Sequence, residues 1–131
     1  MSGARVLILG LEPSLIDFSR PAYGAFPGMT ADKVRAALRA DETHLKALGY
    51  DIESCLTDFG ATAEQVVREK LSHKSFDCIV IGAGVRLVAE NTPLFEKLIN
   101  VVHVHAPQAR LCFNTGPSDN AEAIRRWFPA D

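Results

Sequence analysis

The chain has 131 residues, of which 47% are hydrophobic and 23% charged, and its formal net charge is −2. This length and composition predict one globular domain over residues 1–131 with a single buried core. The charge balance offers no basic surface for nucleic acid, and no apolar run approaches the length of a membrane span, so we expect neither partner.

The first predicted strand covers residues 4–10, where apolar residues run without a polar break. Strands buried on both faces of a sheet have this pattern. Residues 11–28 then show no periodicity, which is unusually long for a connection in an α/β protein. Because Phe18, Tyr23 and Phe26 provide apolar side chains, we expect this loop to pack across the carboxyl end of the sheet as a lid. The alternative is that this loop lies on the protein surface and has no function.

The first predicted helix covers residues 31–48, with Thr30 as its N-cap and Gly49 at its end. Four apolar residues form its buried stripe: Val34, Leu38, Leu45 and Leu48. Asp41 or Glu42 falls in the gap of this stripe. We therefore expect that edge of the helix to lie partly in water.

Residues 50–58 alternate between apolar and polar side chains, which predicts an edge strand, less buried than its neighbours. Thr62 and Gln65 have the spacing of a capping box. They introduce a second helix, predicted over residues 63–72. Its inward side chains are expected to be Val66, Val67 and Leu71.

The third predicted strand, residues 76–81, is again continuously apolar and ends in a glycine-rich turn. A helix over residues 93–105 follows, and residues 109–114 form the fourth strand. The last predicted helix ends at Trp127 and Phe128. Strands and helices thus alternate along the chain, as in parallel sheets with helices on both faces.

Strands 1 and 3 have the composition of central strands, and strand 2 that of an edge. This predicts an α/β fold with a three-layer, doubly wound parallel sheet in the flavodoxin-like order 2-1-3-4. Its topological switch point lies between strands 1 and 3, where ligands bind in such sheets.

Residues 80–87 contain the string Gly82-Ala83-Gly84, which resembles the opening of Rossmann domains that bind flavin or nicotinamide cofactors. That resemblance implies dinucleotide binding. Leu87 replaces the third glycine of the motif, and Asn114 replaces the acidic residue that would hold a ribose. We therefore expect no cofactor.

The chain as a whole resembles a response-regulator receiver domain. Four segments carry the resemblance: residues 5–13, 48–52, 76–81 and 109–115. Thr115 matches the switch hydroxyl of that family, but Gly82 or Ala83 occupies the phosphoacceptor position, and Glu12 alone remains of the acidic pair. A carboxylate nucleophile and a Mg²⁺ site are therefore missing, and the resemblance implies the fold without phosphotransfer.

Residues 80–86 and 112–117 also resemble segments of a small uncharacterised family of cytosolic bacterial proteins. That resemblance implies no function. The three cysteines, Cys55, Cys78 and Cys112, fall inside predicted strands, where they are expected to be small buried hydrophobes in a reducing compartment. No secretory signal pattern is visible at the N-terminus. We therefore expect a cytoplasmic protein.

Polar residues and glycines follow the strands at the carboxyl edge of the predicted sheet. The expected ligand-binding residues are Gly82, Gly84, Arg86, Asn114, Thr115 and Gly116. Arg86 would pair with a carboxylate or phosphate, while Glu12 and Asp17 are the acid/base candidates. No histidine, cysteine or carboxylate cluster predicts a metal site. One hypothesis is thus a site for a small anionic metabolite, with or without catalysis, and the other is a receiver-like protein-interaction module.

The fourth strand is predicted to lie at an edge of the sheet, although residues 111–113 are apolar. Natural edges are usually blunted by charge, proline or a covering element. Trp127 and Phe128 end the last predicted helix. The apolar edge strand and this pair of aromatic residues together predict a two-fold homodimer. The alternative is that the long loop or the last helix covers this edge within one chain.

Overall fold

The computed structural model describes residues 3–24 and 27–129. At its centre is one sheet of four parallel strands in the order β2-β1-β3-β4. The strands are β1 (Arg5–Leu11), β2 (Asp51–Thr57), β3 (Cys78–Ile81) and β4 (Arg110–Phe113). Leu9 of β1 lies opposite Cys55 of β2 and Ile81 of β3. The predicted doubly wound, flavodoxin-like topology is therefore confirmed.

Five α-helices connect or follow the strands in the described part of the chain. They are α1 (Ala31–Ala47), α2 (Ala63–His73), α3 (Ala83–Arg86), α4 (Thr92–His105) and α5 (Asn120–Arg125). Short 3-10 turns occur at Pro13–Leu15, Pro21–Tyr23 and Ala89–Asn91. Over the residues that the structure describes, no helix has both the length and the apolar character needed to cross a membrane.

The two faces of the sheet are covered by different helices because successive side chains of a strand point to opposite faces. On one face, Leu7 and Leu9 of β1 pack in a cluster with Leu98 of α4 and with residues of α2. On the other face, Val6 and Ile8 pack in a second cluster with α1 and α5. Burial on both faces explains the uninterrupted apolar sequence of β1 and β3.

The start of α2 differs from the predicted capping box. The side chain of Gln65 extends toward Glu69, and Thr62 makes no side-chain hydrogen bond to the helix backbone. Instead, the Asp58 carboxylate accepts hydrogen bonds from the N–H groups of Gly60 and Thr62 and from the Thr62 hydroxyl. These donors, the Gly60 N–H first, hold the pKa of Asp58 below its usual range.

Val66 was expected to face inward, and this prediction is wrong. Its side chain is 38% exposed, whereas Val67 and Leu71 are buried as predicted. Two adjacent helical residues are separated by about 100° around the axis, so a narrow contact face buries only one of them.

The chain after β3 forms α3, a helix that the sequence analysis missed. Gly82 comes close to the end of β1, since its N–H donates to the carbonyl of Leu9 over 2.8 Å. A Cβ atom at Gly82 would lie 3.3 Å from that same oxygen. The glycine therefore permits a close backbone approach at the switch point between β1 and β3.

The outer strand β4 is partly exposed, and the Arg126 guanidinium donates to the carbonyl of its last residue, Phe113. No other strand in the described residues pairs with it, and the nearby Trp127 is 51% exposed with the Arg110 guanidinium 5.3 Å from its ring centre. The homodimer stays a prediction. We expect light scattering at micromolar concentration to give the mass of two chains, and the mass of one chain would contradict it.

Candidate functional site

A cleft with a volume of about 140 Å³ lies at the carboxyl end of the sheet. The ends of β1 and β2, the turn after β3 and the turn after β4 form its base. The side chains of Val34 and Leu38 on α1 form one wall. A long connection, residues 12–30, which we call the cover loop, provides Ile16, Phe18, Tyr23 and Met29. Parallel strands bring these segments together because all their carboxyl ends meet at one edge.

The cover loop packs through its aromatic residues. The rings of Phe18 and Tyr23 meet edge to face with their centres 5.3 Å apart, and Tyr23 is only 8% exposed. An ion pair between Arg20 and Glu90 joins the loop to the segment after α3. The predicted packing across the carboxyl end of the sheet is confirmed for Phe18 and Tyr23, while Phe26 lies outside the described residues.

Most of the residues predicted to bind a ligand come together in this cleft. Its lining includes Gly82, Gly84, Asn114, Thr115 and Gly116. Arg86, Glu12 and Asp17 are not among the residues that line it. The assignment of these residues to ligand binding or catalysis stays a prediction, and the sequence analysis missed Ile16, Met29 and Leu38 as lining residues.

The Arg86 side chain contacts the end of β4. Its Nη2 donates to the backbone carbonyl of Asn114 over 2.7 Å, and its guanidinium lies 5.5 Å from the centre of the Phe113 ring. Its Nε is buried and has no partner within the described residues. These contacts tie the turn after β3 to the end of β4, which positions two sides of the cleft.

Glu12 forms a bidentate ion pair with Arg35 of α1 and also accepts the N–H of Ser14. The hydrogen bond from Arg35 is the main reason that the pKa of Glu12 falls to about 2. The Ser19 hydroxyl likewise lowers the pKa of Asp17. A general acid at neutral pH needs a raised pKa, so neither carboxyl is tuned for that role.

The Glu12→Gln variant is expected to lose about 1–2 kcal/mol of stability at pH 7, because a partly exposed charge-assisted pair is lost. The folded-state pKa of Glu12 is lowered, so its contribution is present above the unfolded value near 4.5 and disappears as pH falls toward 2. Urea unfolding of both proteins between pH 7 and pH 2.5 measures the difference, which should shrink as the pH falls.

The matched control is Glu64→Gln on α2, whose carboxylate is exposed and lies 4.0 Å from Arg68. That change should alter the free energy of unfolding by less than about 0.5 kcal/mol. If the difference in the free energy of unfolding between Glu12→Gln and the parent protein were independent of pH, the Arg35 contact would not hold the carboxylate in its ionised form.

A chain of buried side-chain amides connects the cleft to α1. Asn114 accepts the Ala83 N–H at Oδ1 and donates from Nδ2 to Asn120, which in turn donates to Asp41, and each of these distances is 2.7 Å. Asp41 is only 6% exposed, and burial raises its pKa. The expectation that this edge of the first helix lies partly in water is therefore wrong at Asp41, because Asn120 satisfies its carboxyl group inside the protein.

The turn after β4 is closed by Asp119. Its carboxylate accepts the N–H groups of Thr115 and Gly116 and the Thr115 hydroxyl. Burial works to raise the pKa of Asp119, but these donors outweigh it and hold the pKa below its usual range. The backbone N–H groups of Thr115 and Gly116, two of the residues predicted to bind the ligand, are thus already paired with a negative charge of the protein.

Cys55, Cys78 and Cys112 are buried, as expected from their place in the strands. Cys78 and Cys112 lie on adjacent strands with their sulfur atoms 3.1 Å apart. Across the described ranges 3–24 and 27–129, no three histidine, cysteine or carboxylate side chains are grouped to hold a metal ion.

Neither the protein-family models nor the curated proteins include a match to this chain. The flavodoxin-like fold is shown by the parallel sheet and its strand order. The receiver-like and Rossmann-like resemblances stay expectations from the sequence.

Proposed function

We propose that this protein binds a small organic molecule in the cleft at the carboxyl end of its sheet, beneath the cover loop. One observation carries the proposal: a mainly apolar cleft lies beside the switch point between β1 and β3. Small-molecule sites in doubly wound proteins are found at this position, and such sites combine apolar walls with a few polar groups.

The long cover loop supports the same proposal. Residues 12–24 and 27–30 of this loop form no strand or α-helix, yet two of its aromatic rings, Phe18 and Tyr23, line the cleft. Loops of this kind frequently form part of binding sites because they adapt to a ligand while the sheet remains rigid. The alternative, a receiver-like interaction module, would make no use of the cleft and would bind no small molecule there.

The cleft-filling variant Val34→Phe tests the proposal. Val34 is half-buried on α1 and lines the cleft, so a phenyl ring at this position should occupy part of its volume. A fragment library screened against the ¹⁵N-labelled protein should shift the amide signals of Gly82, Gly84 and Gly116. We expect the affinity of such fragments to fall about tenfold or more in Val34→Phe, which corresponds to about 1.4 kcal/mol or more.

Val66→Phe is the control, since it makes the same chemical change on the exposed face of α2, away from the cleft. It should leave fragment affinity unchanged. The proposal fails if no fragment shifts the cleft amides, or if those fragments bind equally well to Val34→Phe and to the parent protein. Either result would favour the interaction module.

A further inference from the structure

The cleft has no charged lining. Within the described part of the chain, no aspartate, glutamate, lysine, arginine or histidine side chain is among its lining residues. Its polar side chains are those of Tyr23, Ser54, Asn114 and Thr115. An ion moved from water into such a site loses its hydration without gaining a counter-charge, which is strongly unfavourable.

The backbone N–H groups beside the cleft that were expected to stabilise an anion already have an anionic partner. The N–H groups of Thr115 and Gly116 point to the Asp119 carboxylate. Within the described residues, Arg86 keeps an unpaired Nε, but it does not line the cleft, and its Nη2 donates to the Asn114 carbonyl. The negative charge of Asp119 would also repel an anion at this turn. Charge complementarity at the cleft therefore favours an uncharged ligand.

Asn114 still has hydrogen-bonding capacity. Because the Ala83 N–H needs an acceptor, Oδ1 must face Ala83 and Nδ2 must face Asn120, so the orientation of the carboxamide is determined. This leaves one N–H and one lone pair of the side chain outside the network. Asn114 is thus a cleft residue with a defined orientation that can pair with either a donor or an acceptor of a ligand.

The volume of the cleft limits the size of the group that it can hold. At about 140 Å³ it is close to an engineered apolar cavity of about 150 Å³ that binds benzene. The cleft opens to solvent, so this volume limits only the part of a ligand that lies inside it. One ring with a small substituent fits it.

We infer that the group held in this cleft is uncharged and of single-ring size, with one hydrogen-bonding substituent that pairs with Asn114. This inference rests on the proposed function, since it defines the ligand class of the same cleft. It replaces the anionic metabolite of the sequence analysis by a neutral one.

Three probes of equal heavy-atom number test the inference: benzamide, benzoate and cumene. They share a phenyl ring and differ in whether the substituent is a neutral amide, a carboxylate or a hydrocarbon. Binding is measured at pH 7 from the shifts of the cleft amides and of the Asn114 side-chain NH₂ group. We expect benzamide to bind about tenfold or more tightly than either of the others, and Val34→Phe to weaken it.

Any other outcome of this experiment contradicts a specific part of the inference. Benzoate binding as tightly as benzamide in the cleft would disprove the uncharged class, and cumene binding as tightly would disprove the hydrogen bond to Asn114. If none of the three shifts a cleft amide, the inference fails. The proposed function is judged separately by the fragment library with Val34→Phe.

Discussion

Asn120→Ala is expected to lower the free energy of unfolding by about 2–5 kcal/mol. Asn120 is 1% exposed and lies between Asn114 and Asp41, with a hydrogen bond to each. Its truncation leaves a carboxamide and a carboxyl group without their partner inside the protein, and each unpaired group costs about 1–3 kcal/mol. Urea unfolding followed by circular dichroism measures the loss.

Asn100→Ala is the matched control for this change. Asn100 is exposed on α4 and its side chain donates only to the carbonyl of Glu96 one turn earlier. Its removal should change stability by less than about 0.5 kcal/mol. A loss below about 1 kcal/mol in Asn120→Ala would show that the amide network does not hold α1 and α5 against the end of β4.

Leu98→Ala should also destabilise the protein by about 2–5 kcal/mol, through a different mechanism. Leu98 is fully buried at the centre of α4, where it packs between the sheet and α2. Alanine removes its contacts and leaves a cavity, because a close-packed core relaxes only in part. The measurement is the midpoint and slope of urea unfolding, with an unchanged slope indicating a native state of the same compactness.

Val104→Ala on the same helix tests the orientation of α4. Val104 is 66% exposed, so its truncation should cost less than about 0.5 kcal/mol. Equal losses in Leu98→Ala and Val104→Ala would contradict the placement of α4 with Leu98 toward the sheet.

Much of the fold is predictable because local sequence patterns indicate which side chains are buried. The apolar runs of β1 and β3 indicate central strands, and the alternation in β2 indicates an edge. Helix boundaries are less predictable. The last helix was expected to end at Trp127 and Phe128, but α5 ends at Arg125, since a helix end depends on which backbone groups find other partners.

The capping box predicted at the start of α2 does not form, because two acceptors compete for the same backbone N–H groups. Thr62 and Gln65 have the spacing of a capping box, yet Asp58 accepts the hydrogen bonds at the start of α2. A carboxylate is a stronger acceptor than a hydroxyl, and the turn at Gly60 brings it within reach. The pattern alone does not decide between these two acceptors.

Local sequence patterns are enough to predict the strand order and the edge of the sheet at which Gly82, Gly84 and Asn114 meet, because the carboxyl ends of parallel strands share one edge. The chemical character of that edge depends on contacts between residues that are far apart in the chain. Asp41 and Asn120 are 79 residues apart in the chain and in direct contact in the fold. Periodicity indicates which side of a helix or strand is buried, but it does not indicate which distant residue lies opposite that side. The uncharged lining of the cleft and the buried amide network therefore cannot be predicted from the pattern and are visible only in the folded chain.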